Sequence, residues 1–213
     1  MESFAYVTGS LASDVSSAAF FLAGAACLDG SELELPNVGI NPTRTGIIDV
    51  LRRFGADIEI RDQRESGGEP FGTLIVRGKP RLSPSSGNMV NGEIVAYLID
   101  EVPILAVFGT QVEGGIEIRD AGELRVKESD RIASVVENLR RMGADVEEFE
   151  DGLRVGKSDL VGATIYSFGD HRIAMAFAVA GLFANGETVI EGAECAAVSF
   201  PDFFGVLDSS IER

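Results

Sequence analysis

The 213 residues suffice for one sizeable hydrophobic core, and a hydrophobic share of 45% is ordinary for a globular protein. The formal net charge of −16 argues against nucleic acid and anionic membrane as partners, because both are bound through basic surfaces. Two cysteines and one histidine are too few for a disulfide framework or a zinc site, so we expect no metal.

The first segment of the chain predicts helices that alternate with strands. Asp14 precedes VSSAAFFLAGAACLDG, an apolar helix pattern that ends at a glycine, and the alternating run SELEL follows as a strand. A second, amphipathic helix begins at NPTRTGIIDVL, closes with LRRFGAD and leads into the strand IEI. The apolar run 18–28 is too short to span a bilayer, and no signal-peptide pattern follows Met1, so a cytoplasmic location is expected.

The same order of elements returns twice. Asp100 precedes EVPILAVFGTQVEGG and Asp170 precedes HRIAMAFAVAGLFANG, and each pattern leads into a short strand, GIEI or ETVIEG. A second helix start follows, RVKESDRIASVV or SFPDFFGVL, and LRRFGAD returns as LRRMGAD in the middle copy. We therefore predict an α/β (α+β) fold of three tandem units with pseudo-threefold symmetry, forming a single domain over residues 1–213. The apolar first helices should be buried, and the charged second helices should lie outside.

The stretch ELRVKESDRIASVVENLRRMGADVEEF, residues 123–149, carries charged residues where a helix begins. Apolar residues from Ile132 to Met142 follow at helical spacing, so one face should be buried. Ser129 or Asp130 is expected to cap the helix, and Gly143 should end it. Aspartates 14, 100 and 170 are expected to cap the first helix of each unit in the same way.

Two cations stand at this helix start, although capping needs none. Lys127 and Arg131 oppose the helix dipole, whereas a bound anion would be stabilised by the cations and the free N–H groups together. Arg172, two residues after Asp170, is a similar cation at another helix start. A solvated surface is the alternative, because most charge clusters are simply solvated. If the three cations converge on one anion, Asp100 and Glu128 are the candidate acid and base.

Two of these segments resemble signature motifs of the 5-enolpyruvylshikimate-3-phosphate (EPSP) synthase family. They are LRVKESDRI, residues 124–132, and GDHRIAMA, residues 169–176. The segments GSLASDVSSAAFFLAGAA, LIDEVPILAV and SFPDFF also resemble family segments, in the same order along the chain. The resemblance implies an enolpyruvyl transferase-like domain of three βαβαββ units. It also implies transfer of the enolpyruvyl group of phosphoenolpyruvate to the 5-hydroxyl of shikimate 3-phosphate, with phosphate released and no cofactor needed.

The resemblance also implies a role for each matched residue. Asp100 would contact the attacking hydroxyl as its base, and Glu128 would handle the proton at the methylene carbon of phosphoenolpyruvate. Lys127, a third catalytic residue beside Glu128, would lie near the shikimate hydroxyls. Arg131 and Arg172 would hold phosphoenolpyruvate, or the herbicide glyphosate in its place, with Glu128 beside them.

The remaining matches support that site, and the chain departs from the family at several points. His171 and Asp170 would support the arginines. Glu123 stands where some members have an asparagine that contacts shikimate, and Ala197 or Val198 where many have a lysine. The resemblance covers only the C-terminal half of a two-domain enzyme, so we expect the missing N-terminal domain to be the partner and the chain alone to be inactive.

Two other functions remain open at this stage. The chain could belong to another enolpyruvyl transferase, such as the UDP-N-acetylglucosamine type, whose family shares the fold but lacks the KESDR and GDHR pair. It could also be a domain that binds an anion, or that pairs with a separately encoded partner without catalysing a reaction.

Overall fold

A computed structural model of the chain describes residues 3–4 and 14–212. Its α-helices, in chain order, are α1 (Val15–Cys27), α2 (Gly46–Arg53), α3 (Glu93–Tyr97), α4 (Val102–Gly109), α5 (Arg131–Arg141), α6 (His171–Gly181) and α7 (Phe203–Ser209). Two 3₁₀ helices, Gly122–Val126 and Ala193–Val198, precede α5 and α7. None of the helices in the described residues is long and apolar enough to cross a membrane. The expected cytoplasmic location stays a prediction.

Within residues 3–4 and 14–212, the strands form four small sheets. In chain order they are β1 (Ser3–Phe4), β2 (Glu32–Gly39), β3 (Asp57–Ser66), β4 (Glu69–Arg77), β5 (Met89–Val90), β6 (Ile116–Ile118), β7 (Val146–Phe149), β8 (Gly152–Val155), β9 (Thr164–Tyr166), β10 (Val189–Glu191) and β11 (Ile211–Glu212). The strand orders are β2-β4-β3, β5-β6-β8-β7, β10-β9 and β1-β11. β10 pairs with β9 and β5 with β6 in parallel, and the other pairs are antiparallel. The predicted mixture of helices and strands is confirmed.

The apolar helices α1, α4 and α6 are the buried ones, as predicted. They pack against one another, and every residue of α4 is buried. Phe20, Phe108 and Phe177, one from each helix, are at most 1% exposed. Since apolar residues occupy every side of these helices, only a position inside the core removes them from water. That the three units are related by a pseudo-threefold axis stays a prediction.

α5 is amphipathic, with its apolar side in the core. Its apolar positions Ile132, Val135, Val136, Leu139 and the following Met142 are at most 1% exposed. Asp130 caps the helix, because its carboxylate accepts a hydrogen bond of 3.0 Å from the backbone N–H of Ala133. The helix ends at Arg141, and Gly143 follows with φ of +77°, which glycine adopts without steric cost. The predicted cap and stop of this helix are confirmed.

A buried amide joins α5 to β9. Asn138 is 0% exposed, donates to the carbonyl oxygen of Tyr166 (2.8 Å) and accepts from its backbone N–H (3.1 Å). Asn138→Ala should lower the free energy of unfolding by about 2 kcal/mol, because it leaves two backbone groups without a partner. Urea unfolding monitored by circular dichroism measures this. A loss below about 0.5 kcal/mol would mean that water replaces the amide.

Candidate active site

The predicted site residues meet where helices α1, α4, α5 and α6 begin. Asp100 precedes α4, Glu128 and Arg131 flank the start of α5, and Asp170 and Arg172 flank the start of α6. Ion pairs and hydrogen bonds connect all four helix starts. The site is therefore assembled from segments more than 150 residues apart, since Ser16 of α1 contacts Arg172 of α6.

Arg131 lies at the centre of this cluster, with its guanidinium paired to three carboxylates. Nε contacts Asp170 (2.8 Å), Nη1 contacts Asp100 (2.8 Å) and Nη2 contacts Glu128 (2.6 Å). The arginine side chain is only 2% exposed, whereas those of Asp100 and Glu128 are 46% and 50% exposed. These contacts use three of the five N–H donors, and because the side chain is covered, an anionic ligand would reach the other two when one of the exposed carboxylates moves.

Asp170 is the buried carboxylate of the cluster. Its side chain is 0% exposed and accepts hydrogen bonds from the backbone N–H of Arg172 (2.9 Å), the hydroxyl of Ser129 (3.2 Å) and Arg131. It therefore caps α6 as predicted and orients Arg131 at the same time. One carboxylate thus links the two motifs that carry the family resemblance.

Arg172 is the cation with free hydrogen-bonding capacity. Its Nη1 lies 2.7 Å from the hydroxyl of Ser16, 3.4 Å from the carbonyl oxygen of Asp100 and 3.4 Å from a carboxylate oxygen of Glu101. Among the residues that the structure describes, all polar contacts of this guanidinium involve Nη1. Nε and Nη2 can therefore donate to a carboxylate or phosphate without breaking a contact in the protein.

Lys127 and Glu123 form an ion pair at the rim of the cluster. Lys127 Nζ lies 2.5 Å from Oε1 of Glu123, and the two side chains are 24% and 65% exposed. Such an exposed pair contributes little to stability, so Lys127 can exchange this partner for a ligand at little cost. Ligand contacts by Lys127 and Glu123 stay predictions.

Nearby positive charges lower the pKa of Asp100. Partial burial would raise the pKa of this carboxyl, but the charge of Arg172 and the hydrogen bond from Arg131 outweigh burial and leave the pKa lowered. Asp100 is therefore ionised at neutral pH, as a base must be. Burial and the charge of Arg172 lower the pKa of His171, which favours the neutral imidazole beside the arginines.

Two expectations about helix caps are wrong. Asp14 stands at the N-cap of α1, but its carboxylate makes no capping hydrogen bond and pairs with Arg44 at 3.3 Å. Asp100 lies outside α4, whose N-cap position is Glu101, and its carboxylate faces Arg131. Pro103 in the first turn of α4 has no N–H to donate, which reduces the need for a side-chain cap there.

Ser16 and Glu101 belong to the cluster but were not predicted from the sequence. Ser16 stands two residues after Asp14, the place that Arg172 takes after Asp170, and Glu101 directly follows Asp100. The internal repeat was the signal that could have pointed to Ser16. Ser16 and Arg172 hold the same place in their repeat units, and the helices that carry them pack together. Beside these residues a cavity of about 140 Å³ opens between Arg44, Tyr97 and Asp100.

Glu101 should make the stability of the protein depend on pH. Burial raises its pKa above the ordinary 4.5, although the hydrogen bond from Ser16 and the charge of Arg172 oppose this. An acid whose pKa is raised by folding stabilises the protein below its unfolded pKa, and this contribution is lost as pH rises through the folded pKa.

The difference in free energy of unfolding between Glu101→Gln and the unaltered chain should therefore shift in favour of the variant as pH rises from about 4.5 to 8. Urea unfolding at several pH values measures the difference. Glu117→Gln is a reference, because Glu117 lies 3.5 Å from Nη1 of Arg119 in a similar ion pair. A difference for Glu101→Gln that stays constant with pH would contradict the expectation.

Comparisons with known proteins find relatives over nearly the whole chain. The sequence profile of the family EPSP synthase (3-phosphoshikimate 1-carboxyvinyltransferase) matches residues 6–207. A 3-phosphoshikimate 1-carboxyvinyltransferase from Koribacter versatilis is 54% identical over 203 residues, which are 94% of this chain and 46% of that protein. One from Synechocystis sp. is 53% identical over 195 residues, covering 91% of this chain and 43% of that protein.

Solved structures are similar over the same extent. An EPSP synthase from Acinetobacter baumannii matches with a TM-score of 0.86 and 40% identity over 93% of this chain and 46% of its own. The enolpyruvyl transferase NikO from Streptomyces tendae, at 18% identity and a TM-score of 0.72 over 93% of this chain and 43% of its own, shares the fold. This chain spans about half the length of these relatives. With a family match over nearly its whole length, the chain belongs to the EPSP synthase family.

Proposed function

We propose that this chain is the C-terminal half of a two-domain 3-phosphoshikimate 1-carboxyvinyltransferase and carries half of its active site. The observation that carries the proposal is the convergence of Asp100, Glu128, Arg131 and Arg172 from three helix starts, in a member of this family. An N-terminal domain would supply the other half. The substrates would be phosphoenolpyruvate and shikimate 3-phosphate.

The proposed reaction is an addition followed by an elimination. The 5-hydroxyl of shikimate 3-phosphate loses its proton to Asp100, and its oxygen bonds to C2 of phosphoenolpyruvate while Glu128 protonates C3. The tetrahedral intermediate then loses phosphate from C2, and the leaving phosphate takes the proton held by Asp100, while Glu128 takes a proton back from C3 and the double bond is restored. Asp100 suits its role because it is ionised and its side chain is 46% exposed, so a bound hydroxyl can reach it. Glu128 is half exposed and can reach a ligand, and it gives up its ion pair with Arg131 when it carries the proton for C3.

The cations would bind and orient phosphoenolpyruvate. Arg172 offers two guanidinium nitrogens without a protein partner, which suits a planar carboxylate. Arg131 would join after Asp100 or Glu128 moves, and Asp170 would hold it in place. Lys127, with Glu123 beside it, would contact the shikimate ring, and His171 would support the arginines.

The test is phosphate release from phosphoenolpyruvate and shikimate 3-phosphate. It compares the chain alone with the chain mixed with the N-terminal half of the Koribacter versatilis relative. We expect turnover only in the mixture, and Arg172→Lys should weaken it. Turnover by the chain alone would refute the half-site. A mixture of two folded halves that stays inactive with shikimate 3-phosphate but accepts UDP-N-acetylglucosamine would favour the other transferase. Inactivity with both acceptors would favour a domain that only binds.

A further inference from the structure

The three buried helices each place one polar side chain at a common point. Ser16 comes from the first turn of α1, Glu101 from the N-cap of α4 and Arg172 from the first turn of α6. Nη1 of Arg172 donates to the Ser16 hydroxyl at 2.7 Å, and that hydroxyl donates a short hydrogen bond to Oε1 of Glu101. The direct ion pair between Arg172 and Glu101 is 3.4 Å long, so the serine bridges the two charges.

This network holds Arg172 on one side only. Its contacts with Ser16, Glu101 and the carbonyl oxygen of Asp100 all use Nη1. The guanidinium carbon lies 5.9 Å from the ring centroid of Phe20, a buried residue of α1. The side chain is 14% exposed. The contacts at Nη1 and the neighbouring Phe20 ring together restrict the orientation of the guanidinium. Nε and Nη2 remain available to a ligand.

Glu101 has no evident role apart from this network. Glu101 is 7% exposed, and Ser16 is 6% exposed. Although Glu101 stands at the N-cap of α4, its side chain makes no capping hydrogen bond. Burying a carboxylate is costly, and apolar side chains fill the surrounding core. An isolated ion pair in such a place contributes little to stability, so orientation of the arginine explains it better.

We propose that Glu101 and Ser16 are positioning residues that orient Arg172 so that its Nε and Nη2 receive the carboxylate of an anionic substrate. This inference rests on the proposed function, because it takes the ligand to be phosphoenolpyruvate. Neither positioning residue touches the ligand. They act by reducing the conformations of Arg172 before the ligand arrives.

The experiment follows the Nε–Hε resonance of Arg172 in the chain labelled with ¹⁵N-arginine, titrated with phosphoenolpyruvate. Arg172→Lys assigns the resonance. We expect Glu101→Ala to broaden or shift it and to raise the dissociation constant about tenfold, because a hydrogen bond to a charged group is lost. Glu101→Gln should recover most of the affinity, since its carbonyl oxygen can still accept from Nη1. Ser16→Ala should weaken binding of phosphoenolpyruvate less than Glu101→Ala does. It replaces Glu101→Ala in the experiment if that variant does not fold.

The control is Glu117→Gln, a glutamate paired with an arginine outside this network. It should leave the resonance and the affinity unchanged. The inference is overturned if the folded Glu101 and Ser16 variants keep the resonance of Arg172 and bind within about twofold of the unaltered chain. If Arg172→Lys binds as well as the unaltered chain, the proposed function fails instead, and if the chain alone does not bind, the titration is repeated in the mixture with the N-terminal half. The resonance alone then decides whether the pair orients Arg172.

Discussion

Arg131→Met should lower the free energy of unfolding by about 3 kcal/mol or more, because it leaves a buried carboxylate unpaired. Asp170 is 0% exposed and would keep only Ser129 and the backbone of Arg172 as partners. Asp100 and Glu128 are half exposed, so water compensates for most of their loss. Urea unfolding of the chain, monitored by circular dichroism, measures the change.

Arg141→Met is the matched control for this change. Arg141 belongs to the same helix and pairs with Glu137 at 2.7 Å, but its side chain is 40% exposed. Arg141→Met should lower the free energy of unfolding by no more than about 0.5 kcal/mol. If the two variants lose similar stability, the ion pairs of Arg131 are equivalent to surface pairs, and its role is confined to the ligand.

Glu128→Gln should reduce turnover of the reconstituted enzyme by about 10² to 10⁴-fold, because an amide cannot transfer the proton at C3. Its amide oxygen can still accept the hydrogen bond that Arg131 Nη2 gives to Oε2 at 2.6 Å, so folding should be preserved. The KM for phosphoenolpyruvate should change little if chemistry is slow. Steady-state phosphate release in the mixture with the N-terminal half measures both constants.

The control for turnover is Glu137→Gln, which changes an exposed glutamate of α5 paired with Arg141. It should keep the turnover of the unaltered mixture. A Glu128→Gln enzyme that retains its kcat would exclude Glu128 as the proton-transferring group. If Glu128→Gln raises KM and leaves kcat unchanged, Glu128 contributes to substrate binding only.

Local patterns in the sequence were enough to predict much of the fold. The spacing of Ile132, Val135 and Leu139 predicted the buried side of α5, and Asp130 and Gly143 its two ends. The continuous apolar runs predicted that α1, α4 and α6 are buried. These predictions succeed because helix periodicity, capping and glycine stops depend on residues only a few positions apart.

The site was predicted in part. Two motifs pointed to Glu128, Arg131, Asp170 and Arg172, and the structure brings them together with Asp100. The sequence did not reveal that Arg131 already has three carboxylate partners. Two of those partners, Asp100 and Asp170, come from other segments, and no local pattern specifies which side chains meet across a core.

The sequence by itself therefore determined the main helices, their buried sides and the family. Only the tertiary structure decided that Asp100 faces Arg131 instead of capping α4, and that Ser16 and Glu101 hold one side of Arg172. The physical reason is that ion pairs and hydrogen bonds act over a few ångströms in space. The packing of α1, α4 and α6 sets those distances for residues that are 71 and 156 positions apart.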